Sequence, residues 1–288
     1  MIVVRYPPWT PIAQGIEHRP PEAGAAVRIR LGVDYDAGGN SLPPLKTGSG
    51  IMYKIILWDF DGTLTNFKHA QKHAIKAMFE RLELGPCDDE AVDRYDEINE
   101  KYWRLIETGK YDKRTLLLQR FIEFFEELGL PTDAVEEFND RYQVALGETT
   151  VYNDDSFTLL SDLRGRIRQY IVTNGTKRAQ ENKLANSGFD KIVDAAFISE
   201  ETGFDKPSAG FYKYVFARIP SCERREILMV GDSLTSDMKG GYEQGMTCVW
   251  YNPAGDPLPP DIKIDYDIRN LQEVREILRG SIDFSTKP

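Results

Sequence analysis

The sequence predicts an α/β fold in which a doubly wound parallel sheet is interrupted by an all-α insertion. Short apolar runs alternate with helical segments over the second half of the chain, as expected for parallel strands covered by helices on both faces. A similar apolar run, IILW, is followed by about eighty residues with helical periodicity only. Polar residues come directly after several of these runs, where open α/β sheets bind ligands.

The amino-terminal 51 residues differ in composition from the rest of the chain. The first fifty positions hold seven prolines and seven glycines, and their apolar residues show no period. Such a segment cannot bury enough apolar surface to offset the chain entropy lost on folding. We predict that residues 1–51 are either a disordered tail or an extension from a start codon assigned too early, because Met52 stands directly before the first strand.

The first predicted strand ends in two acidic residues. Asp59 and Asp61 follow its apolar run and are two positions apart. On an extended backbone their carboxylates point to the same side, whereas Phe60 points back into the protein. A cation or a shared proton between the two carboxylates would relieve their repulsion. Gly62 allows a sharp turn, so the simpler alternative is a strand followed by an Asp-Gly turn.

The helical insertion is predicted from apolar residues that recur at spacings of three and four. Its periodic positions are Ile75, Met78, Phe79 and Leu82 in a first helix, Ile98, Tyr102 and Leu105 in a second (88–108), Leu117, Phe121, Phe124, Phe125 and Leu128 in a third, and residues 131–146 in a fourth. The predicted domains are therefore a sheet-forming core of residues 52–66 and 150–288 and a four-helix insertion of residues 67–149.

Several side chains of the insertion can face either its core or a ligand. We predict that Tyr95, Tyr102 and Trp103 are core residues. Phe67 lies just after the crossing from the core into the insertion, and it either packs in the core or stacks on the base of a substrate. Lys110, Lys113 and Arg114 flank a turn; a solvated face is expected for them, with contact to a substrate as the alternative.

The sheet-forming core resumes near Val151. Predicted strands span residues 170–172, 196–198, 227–230 and 248–251, and predicted helices span residues 157–163, 177–187, 211–219, 237–244 and 271–279. Asn270 and Glu273 have the spacing of a capping box at the start of the last helix.

Composition excludes several classes of partner. The net charge of −10 argues against a nucleic-acid polymer or an anionic membrane as a partner. A small anionic substrate stays compatible if cations cluster locally. The three cysteines are scattered and show no metal or disulfide spacing, which is typical of a reducing cytoplasm. We find neither an apolar stretch long enough to span a membrane nor a secretory signal pattern, so the expected location is the cytoplasm.

Three further segments combine polar groups with strand ends or a turn. Residues 171–175 (IVTNG) form a predicted strand that ends in a threonine, and residues 228–237 (LMVGDSLTSD) form one that continues into an acidic loop. Between them, residues 205–207 (DKP) place a lysine beside a proline. Each segment alone is weak, because a surface lysine or a capped helix explains it equally well.

Taken in order, the four segments resemble the motifs of the haloacid dehalogenase superfamily, whose members are mostly phosphatases. The resemblance covers about residues 52–280 and begins with the DFDGT sequence at positions 59–63. It implies a Rossmann-like core and a phosphoric monoester hydrolase. The position of the helical insertion, directly after the first strand, resembles the helical cap of one large branch of the superfamily.

The resemblance implies a role for each acid. Asp59 would be the nucleophile that forms an aspartyl-phosphate, and Asp61 the general acid that protonates the departing alcohol and then activates water. Mg²⁺, with Mn²⁺ as an alternative, would be held by Asp59, by the backbone carbonyl of Asp61 and by Asp232. Asp237 would orient a metal-bound water or Lys206 without binding the metal itself.

The remaining motif residues would bind the phosphoryl group. Thr173 offers a hydroxyl, and Asn174 and Gly175 offer backbone N–H groups, which suit a phosphoryl oxygen. Lys206 would bring a compact positive charge to a site where nucleophile and substrate are both anionic.

Finer details resemble the noncanonical pyrimidine 5′-nucleotidases, cytoplasmic enzymes of the capped branch. The matching stretches are residues 231–237 with Gly240 and Gly241, residues 247–253, and residues 99–103 with Gly109. This resemblance implies pyrimidine nucleoside monophosphates, damaged ones included, as substrates. The sequence departs from the family at Thr65 and Asn66, where an aromatic residue and an acid are expected. A phosphoglycolate or sugar-phosphate phosphatase of the same superfamily is therefore the alternative.

Two more distant alternatives conflict with the first motif. A haloacid dehalogenase needs no acid at position 61. A non-catalytic phospho-acceptor module, like a receiver domain, has neither a general acid two residues after its acceptor nor a helical cap. Asp61 disfavours both alternatives.

Overall fold

The computed structural model of the chain describes residues 51–284. The prediction for residues 1–51 therefore lies outside the described part of the chain, Ile51 excepted. Within residues 51–284, no helix is both long enough and apolar enough to cross a bilayer. The three cysteines all lie in this range and are free thiols.

Six parallel strands form one sheet, which confirms the predicted doubly wound α/β fold. The strands are β1 (Ile55–Trp58), β2 (Arg168–Thr173), β3 (Ala195–Ile198), β4 (Ile227–Gly231), β5 (Thr247–Tyr251) and β6 (Tyr266–Ile268). They follow the order β3-β2-β1-β4-β5-β6, with every neighbouring pair parallel.

Helices cover both faces of this sheet because successive strand residues point to opposite sides. The helices of the core are α5 (Ser156–Leu163), α6 (Lys177–Ser187), α7 (Ser199–Thr202), α8 (Ala209–Phe216), α9 (Lys239–Glu243) and α10 (Val274–Ile277), numbered after the four helices of the insertion. Ile56 and Trp58 pack with leucines of α5, whereas Ile55 and Leu57 pack with aromatic residues of α8.

The register of the three inner strands places their carboxyl ends at one level. Trp58 at the end of β1 lies beside Ile171 of β2 and Val230 of β4. Asp59 and Asp232 therefore leave the sheet close to Thr173, the last residue of β2. Residues that are more than a hundred positions apart along the chain meet here because parallel strands share one edge.

The insertion consists of four helices with an apolar core of their own. They are α1 (Phe67–Arg81), α2 (Asp89–Glu107), α3 (Lys113–Glu127) and α4 (Val135–Ala145). The first three begin at side chains that accept a hydrogen bond from the backbone N–H three residues later, namely Asn66, Asp88 and Asp112. Their shared core is rich in aromatic rings, with Phe121 stacked on Tyr95 at 5.2 Å between ring centroids.

Two neighbouring chain segments connect the insertion with the core. Thr65 and Tyr152 form an isolated antiparallel bridge, and the N–H of Asn66 donates to the carbonyl of Val151 at 2.9 Å. The hydroxyl of Ser156 donates to the carbonyl of Leu64 at 2.6 Å. The outgoing and returning segments therefore lie side by side directly after the first motif.

Several element predictions were wrong at their boundaries, and β6 and α7 were not predicted. Helix α4 begins at Val135 and not at residue 131, because the N–H of Val135 bonds to Thr132 in a preceding turn. Strand β6 was missed although Tyr266, Asp267 and Ile268 alternate apolar and polar side chains, because a run of three residues is too short to indicate a strand. The capping box of Asn270 and Glu273 is confirmed, but it opens a short 3₁₀ turn before the four residues of α10.

The predicted helix over residues 237–244 is interrupted by a wider turn. Residues Leu234–Met238 form a π-helical turn, and α9 follows it. The N–H of Met238 donates to the carbonyl of Ser233 at 3.0 Å, five residues earlier. Such turns are frequent at functional sites, and this one directs the Asp237 side chain back towards the sheet edge, where it meets Lys206.

Candidate active site

The predicted residues at the strand ends meet at the carboxyl edge of the sheet. The N–H of Asp59 donates to the carbonyl of Val230 at 2.8 Å, so strand pairing continues one residue beyond β1. This bond fixes the backbone of Asp59 and leaves its side chain at the mouth of the sheet. The side chain is nearly buried, so bulk water has little access to its carboxylate.

Lys206 lies at the centre of the buried charges. Its side chain is 1% exposed, and its ammonium donates to carboxylate oxygens of Asp59 and Asp237, each at 2.7 Å. A third bond, of 2.9 Å, goes to the carbonyl of Val172 in β2. The loop that carries Lys206 is held by Asn174, whose side chain exchanges hydrogen bonds with the Lys206 backbone at 2.7 and 2.9 Å.

Burial dominates the protonation of this cluster. It raises the pKa of Asp59 to about 7, against the opposing effect of Lys206, and raises the pKa of Asp232 to about 7 with a contribution from the charge of Asp59. The pKa of Asp237 is raised to about 6, again mainly by burial. For Lys206, burial alone would lower the pKa, but the charges of Asp237 and Asp59 raise it overall. Burial therefore favours the protonated form of these carboxyl groups unless a further cation pairs with them.

Asp232 is fixed against the turn that follows the first motif. The Thr63 hydroxyl donates to a carboxylate oxygen of Asp232 at 2.9 Å and lies 3.0 Å from its backbone nitrogen. Gly62 approaches the same carboxylate so closely that a Cβ atom would lie 2.5 Å from Asp232 Oδ2, and its φ of +92° also favours glycine. The DFDGT turn therefore positions an acid from a strand more than 160 residues away.

The acidic residues of this cluster fit a hard divalent cation. Carboxylate oxygens of Asp59, Asp232 and Asp237 lie within 4.8 Å of one another. These three carboxylates face one ammonium, that of Lys206, so two negative charges lack a compensating cation within the cluster. Buried charge of this kind is costly unless a cation pairs with it, and carboxylate oxygens are the ligands that Mg²⁺ prefers.

The threonine loop after β2 lies beside this cluster. The N–H of Gly175 donates to the Thr173 hydroxyl at 3.1 Å, so one predicted phosphoryl donor has an internal partner here. The Asn174 side chain is hydrogen-bonded to the backbone of Lys206. Thr173, Asn174 and Gly175 all line the same cavity as Asp59 and Lys206. Their proximity is observed, and their role in phosphoryl binding stays a prediction.

Asp61 lies beside this cluster and has partners of its own. Its two carboxylate oxygens accept hydrogen bonds from Gln180 Nε2 at 2.6 Å and from Lys183 Nζ at 2.7 Å. Both donors come from α6, and neither was predicted as a site residue. The signal in the sequence is a polar pair three positions apart on a helix that begins directly after the threonine loop.

A cavity of about 500 Å³ separates the sheet edge from the helical insertion. Its floor includes Asp59, Asp61 and Lys206, and its opposite wall includes Phe67 and Trp103. This volume lies within the range of about 300–1,000 Å³ that is usual for small-ligand sites. The cavity therefore offers room for a leaving group between the predicted chemistry and the helices.

The two aromatic residues of the wall differ in how well they were predicted. Trp103 was expected in the core, and it packs against the cluster of Ile106, Leu116 and Leu117, but it is only half-buried and also lines the cavity. Its environment differs from that of Tyr95, which is fully buried as predicted. Phe67 packs partly against the helical core and also lines the cavity, and its stacking on a base stays a prediction.

Carboxylates dominate the charged groups of the helical wall. Asp96, Glu100 and Glu107 line the cavity, together with Lys68, whose ammonium lies 2.8 Å from Asp96 and 3.7 Å from Glu100. Asp96 is held from behind by a buried polar chain: Arg120 donates to Asn99 at 2.6 Å, Asn99 to Gln71 at 2.8 Å, and Gln71 to Asp96 at 2.8 Å. This wall is therefore unfavourable for a second anionic group on a ligand.

Lys113 was expected on a solvated face, and this prediction was wrong. Its side chain is 14% exposed, and its ammonium donates to the Asn174 carbonyl at 2.6 Å, to Ser199 Oγ at 2.9 Å and to Asp205 Oδ1 at 2.6 Å. The first residue of α3 thus contacts the loops that carry the threonine and the lysine motifs. No local pattern marks this contact, because it depends on how the helices pack over the sheet.

Comparison with known proteins identifies relatives along most of the chain. Residues 53–244 match the haloacid dehalogenase-like hydrolase family. The HAD-hydrolase YfnB of Bacillus subtilis is 35% identical over 226 residues, which are 78% of this chain and 95% of YfnB. The crystal structure of YfnB bound to magnesium superimposes with a TM-score of 0.74 and covers 79% of this chain and 99% of YfnB.

Two pyrimidine 5′-nucleotidases are also related to the chain. PynA of Streptococcus pneumoniae is 31% identical over 234 residues, covering 81% of this chain and 98% of PynA. YjjG of Escherichia coli is 26% identical over 224 residues, covering 77% of this chain and 98% of YjjG. Further relatives, at 26% and 28% identity, are phosphatases of ribulose 1,5-bisphosphate and of glyceraldehyde 3-phosphate.

Proposed function

The chain belongs to the haloacid dehalogenase-like hydrolases and is a phosphomonoester hydrolase, and we propose that it is a Mg²⁺-dependent pyrimidine 5′-nucleotidase. Its substrates would be pyrimidine nucleoside monophosphates, noncanonical ones included. The observation that carries the proposal is the cavity, in which Phe67 and Trp103 face the Asp59–Lys206 pair. Aromatic side chains in this position can stack on a base whose phosphate lies at the sheet edge.

The first half of the reaction transfers the phosphoryl group to Asp59. A carboxylate oxygen of Asp59 attacks phosphorus, the bond from phosphorus to the 5′-oxygen breaks, and Asp61 gives its proton to that oxygen. The products of this step are a nucleoside and an aspartyl-phosphate. Asp61 lines the same cavity as Asp59, on the turn directly after it.

The second half releases phosphate. Asp61, now a carboxylate, takes a proton from a water molecule whose oxygen attacks phosphorus, and the bond between phosphorus and Asp59 breaks. Inorganic phosphate leaves, and both aspartates return to their starting protonation. The buried floor of the cavity limits the access of other nucleophiles to the intermediate.

Lys206, Thr173 and a metal ion would share the charge of the phosphoryl oxygens. The Lys206 ammonium is already beside Asp59, and Asp237 holds it there at 2.7 Å. Asp59, Asp232 and the Asp61 carbonyl would hold Mg²⁺, which when bound neutralises negative charge and polarises a phosphoryl oxygen. The Thr173 hydroxyl would donate to another of these oxygens.

The helices α1–α4 would act as the cap that selects the leaving group. The groups at the sheet edge contact only phosphate and metal, so they cannot distinguish one monoester from another. The carboxylates of Asp96, Glu100 and Glu107 on the opposite wall disfavour leaving groups that carry a second phosphate or a carboxylate. This wall supports a nucleoside over phosphoglycolate or a sugar bisphosphate.

Substrate comparison tests the proposal. We would measure phosphate release from UMP, CMP, AMP, phosphoglycolate and ribulose 1,5-bisphosphate, each with Mg²⁺ and with EDTA. We expect the highest kcat/KM for the pyrimidine monophosphates and background rates without the metal. A higher kcat/KM for phosphoglycolate or for the bisphosphate would overturn the nucleotidase assignment, and full activity in EDTA would overturn the metal requirement.

A further inference from the structure

Two side chains of α6 hold both oxygens of Asp61. Gln180 donates its amide N–H to one oxygen at 2.6 Å, and Lys183 donates its ammonium N–H to the other at 2.7 Å. Gln180 is 1% exposed and Lys183 is 5% exposed. Long polar side chains are seldom buried to this degree without a specific partner. Their hydrogen bonds to Asp61 therefore restrain its carboxyl group.

The surroundings of Lys183 connect Asp61 to the helical insertion. Among residues 51–284, Asp61 is the one carboxylate within ion-pair distance of the Lys183 ammonium. The same ammonium lies 4.9 Å from the ring centroid of Phe67, the first residue of α1. Removing the Asp61 charge would leave Lys183 as a buried cation, and removing Lys183 would free one oxygen of Asp61.

Gln180 connects Asp61 to the threonine loop. A Cβ atom on Gly175 would lie 1.7 Å from Gln180 Nε2, so the glycine leaves the space through which the Gln180 amide reaches Asp61. The other amide atom, Oε1, is buried without a hydrogen-bond partner among the described residues. The amide orientation is set by Asp61, because the reverse orientation would place two acceptors together.

We propose that Gln180 and Lys183 are positioning residues that hold the Asp61 carboxyl group in place for proton transfer to the leaving oxygen and from the attacking water. The inference rests on the acid–base role of Asp61 in the proposed function. Proton transfer requires hydrogen-bond reach and orientation, and displacement by about 1 Å can cost about 10²-fold in rate. Asp61 stands beside a glycine turn with free side-chain torsions, and one donor on each oxygen removes that freedom.

Lys183→Met is the central variant, compared with Lys183→Arg and with Lys177→Met. Lys177 lies on the same helix, is 49% exposed and does not line the cavity, so it is the matched control. The substrates are phosphomonoesters that differ in the basicity of their leaving alcohol, from p-nitrophenyl phosphate to an alkyl phosphate. We expect kcat/KM, which reports the transfer of the phosphoryl group to Asp59 and not the later hydrolysis, to fall about 10²-fold for the alkyl ester in Lys183→Met and only a few-fold for p-nitrophenyl phosphate. Lys183→Arg should retain most activity, and Lys177→Met all of it.

A double-mutant cycle separates positioning from general damage. In an Asp61→Asn background there is no proton donor left to position, so Lys183→Met should lower kcat/KM by less than about threefold. Equal losses on both esters, or a full further loss in the Asp61→Asn background, would overturn the proposal. If Lys183→Met does not fold, Gln180→Leu is carried through the same cycle with the same two outcomes.

The experiment also distinguishes this inference from the proposed function. Asp61→Asn alone should show the leaving-group dependence, and if it does not, the acid–base assignment itself is wrong. If Asp61→Asn shows it and neither Lys183→Met nor Gln180→Leu does, the acid–base role stands and the positioning role is wrong. None of these esters carries a base, so the result is independent of nucleotide preference.

Discussion

The sheet edge and the helical wall face each other across one cavity, but they are built differently. At the sheet edge, the charges of Asp59, Lys206 and Asp237 are almost fully buried and contact each other directly. On the helical wall, Lys68 is 71% and Glu100 is 49% exposed, and their contact is 3.7 Å long. Buried charges that depend on each other tolerate little change, whereas exposed pairs contribute about 0–1 kcal/mol and can be altered freely.

This difference indicates that the edge and the wall have different functions. The edge is fixed by strand register and has one arrangement in which Asp59, Lys206, Asp232 and Asp237 meet. Several side chains of the wall are exposed, Lys68 and Glu100 among them, so these can differ without disturbing the edge. We expect variants of the edge to affect every substrate and variants of the wall to affect some substrates only.

Asp59→Asn should have the largest effect on activity. Loss of the nucleophile removes the covalent route and should lower kcat roughly 10⁴-fold or more for every ester. The fold should persist, because one of the uncompensated negative charges disappears with the substitution. Activity on several esters and thermal melting in EDTA check both parts. A variant that keeps more than a few per cent of activity would show that another group attacks phosphorus.

Lys206→Met should have the largest effect on stability. It leaves Asp59 and Asp237 buried without their ammonium partner, which should cost about 3–5 kcal/mol of unfolding free energy. In EDTA, Lys206→Met should therefore lower the melting temperature, whereas Asp59→Asn should leave the fold intact. Chemical denaturation of both variants measures this contrast. Equal destabilisation by the two variants would contradict the charge balance described for the edge.

The stabilisation by Mg²⁺ should depend on pH. The raised pKa values of Asp59 and Asp232, about 7, mean that the folded protein binds more protons than the unfolded chain between about pH 4 and 7. Their contribution to stability without metal therefore falls as pH rises through this window. Mg²⁺ competes with those protons, so the rise in melting temperature from EDTA to Mg²⁺ should be larger at pH 7.5 than at pH 5. Asp232→Asn, the matched control, should lose most of this rise, and an equal rise at both pH values would count against the site.

Lys113→Met should have a smaller effect, because this contact joins the two regions. Its ammonium bonds to the Asn174 carbonyl and to Asp205, so its loss should weaken the seating of α3 on the two loops. We expect kcat/KM for UMP to fall about tenfold, which corresponds to one charged hydrogen bond of about 1.5 kcal/mol. Lys110→Met, at an exposed position beside the same turn, is the control and should be neutral. An unchanged kcat/KM in Lys113→Met would show that the contact has no part in turnover.

The edge was largely predictable from the sequence, whereas the contacts across elements were not. Asp59, Thr173 and Asp232 each follow an apolar strand, and parallel strands bring their ends together whatever the details of packing. Lys206 depended on the family resemblance, because a lysine beside a proline has no local signal of burial. The resemblance to the haloacid dehalogenase superfamily is confirmed by the match over residues 53–244.

Gln180, Lys183 and Lys113 illustrate what sequence patterns miss. Polar residues on a helix are normally assigned to its solvated face, and only the packing of α6 and α3 shows that these three are directed inward. Trp103 is the converse case, an apolar residue that was expected in the core and also lines the cavity. An aromatic residue on an amphipathic helix is expected in the core, although here the helix faces a cavity.

The most direct test of the division between edge and wall is the ratio of kcat/KM for UMP to that for acetyl phosphate in Phe67→Ala and Trp103→Ala. Tyr111→Ala, which removes an aromatic ring that is 57% exposed and outside the cavity, is the control. Acetyl phosphate has no base to stack. Loss of stacking should cost about 1–3 kcal/mol of binding free energy, so the KM for UMP should rise roughly five- to 150-fold. The kcat and KM for acetyl phosphate should stay unchanged. An equal change for the two substrates in folded variants would contradict the account, because the aromatic wall would then support the chemistry and not select the base.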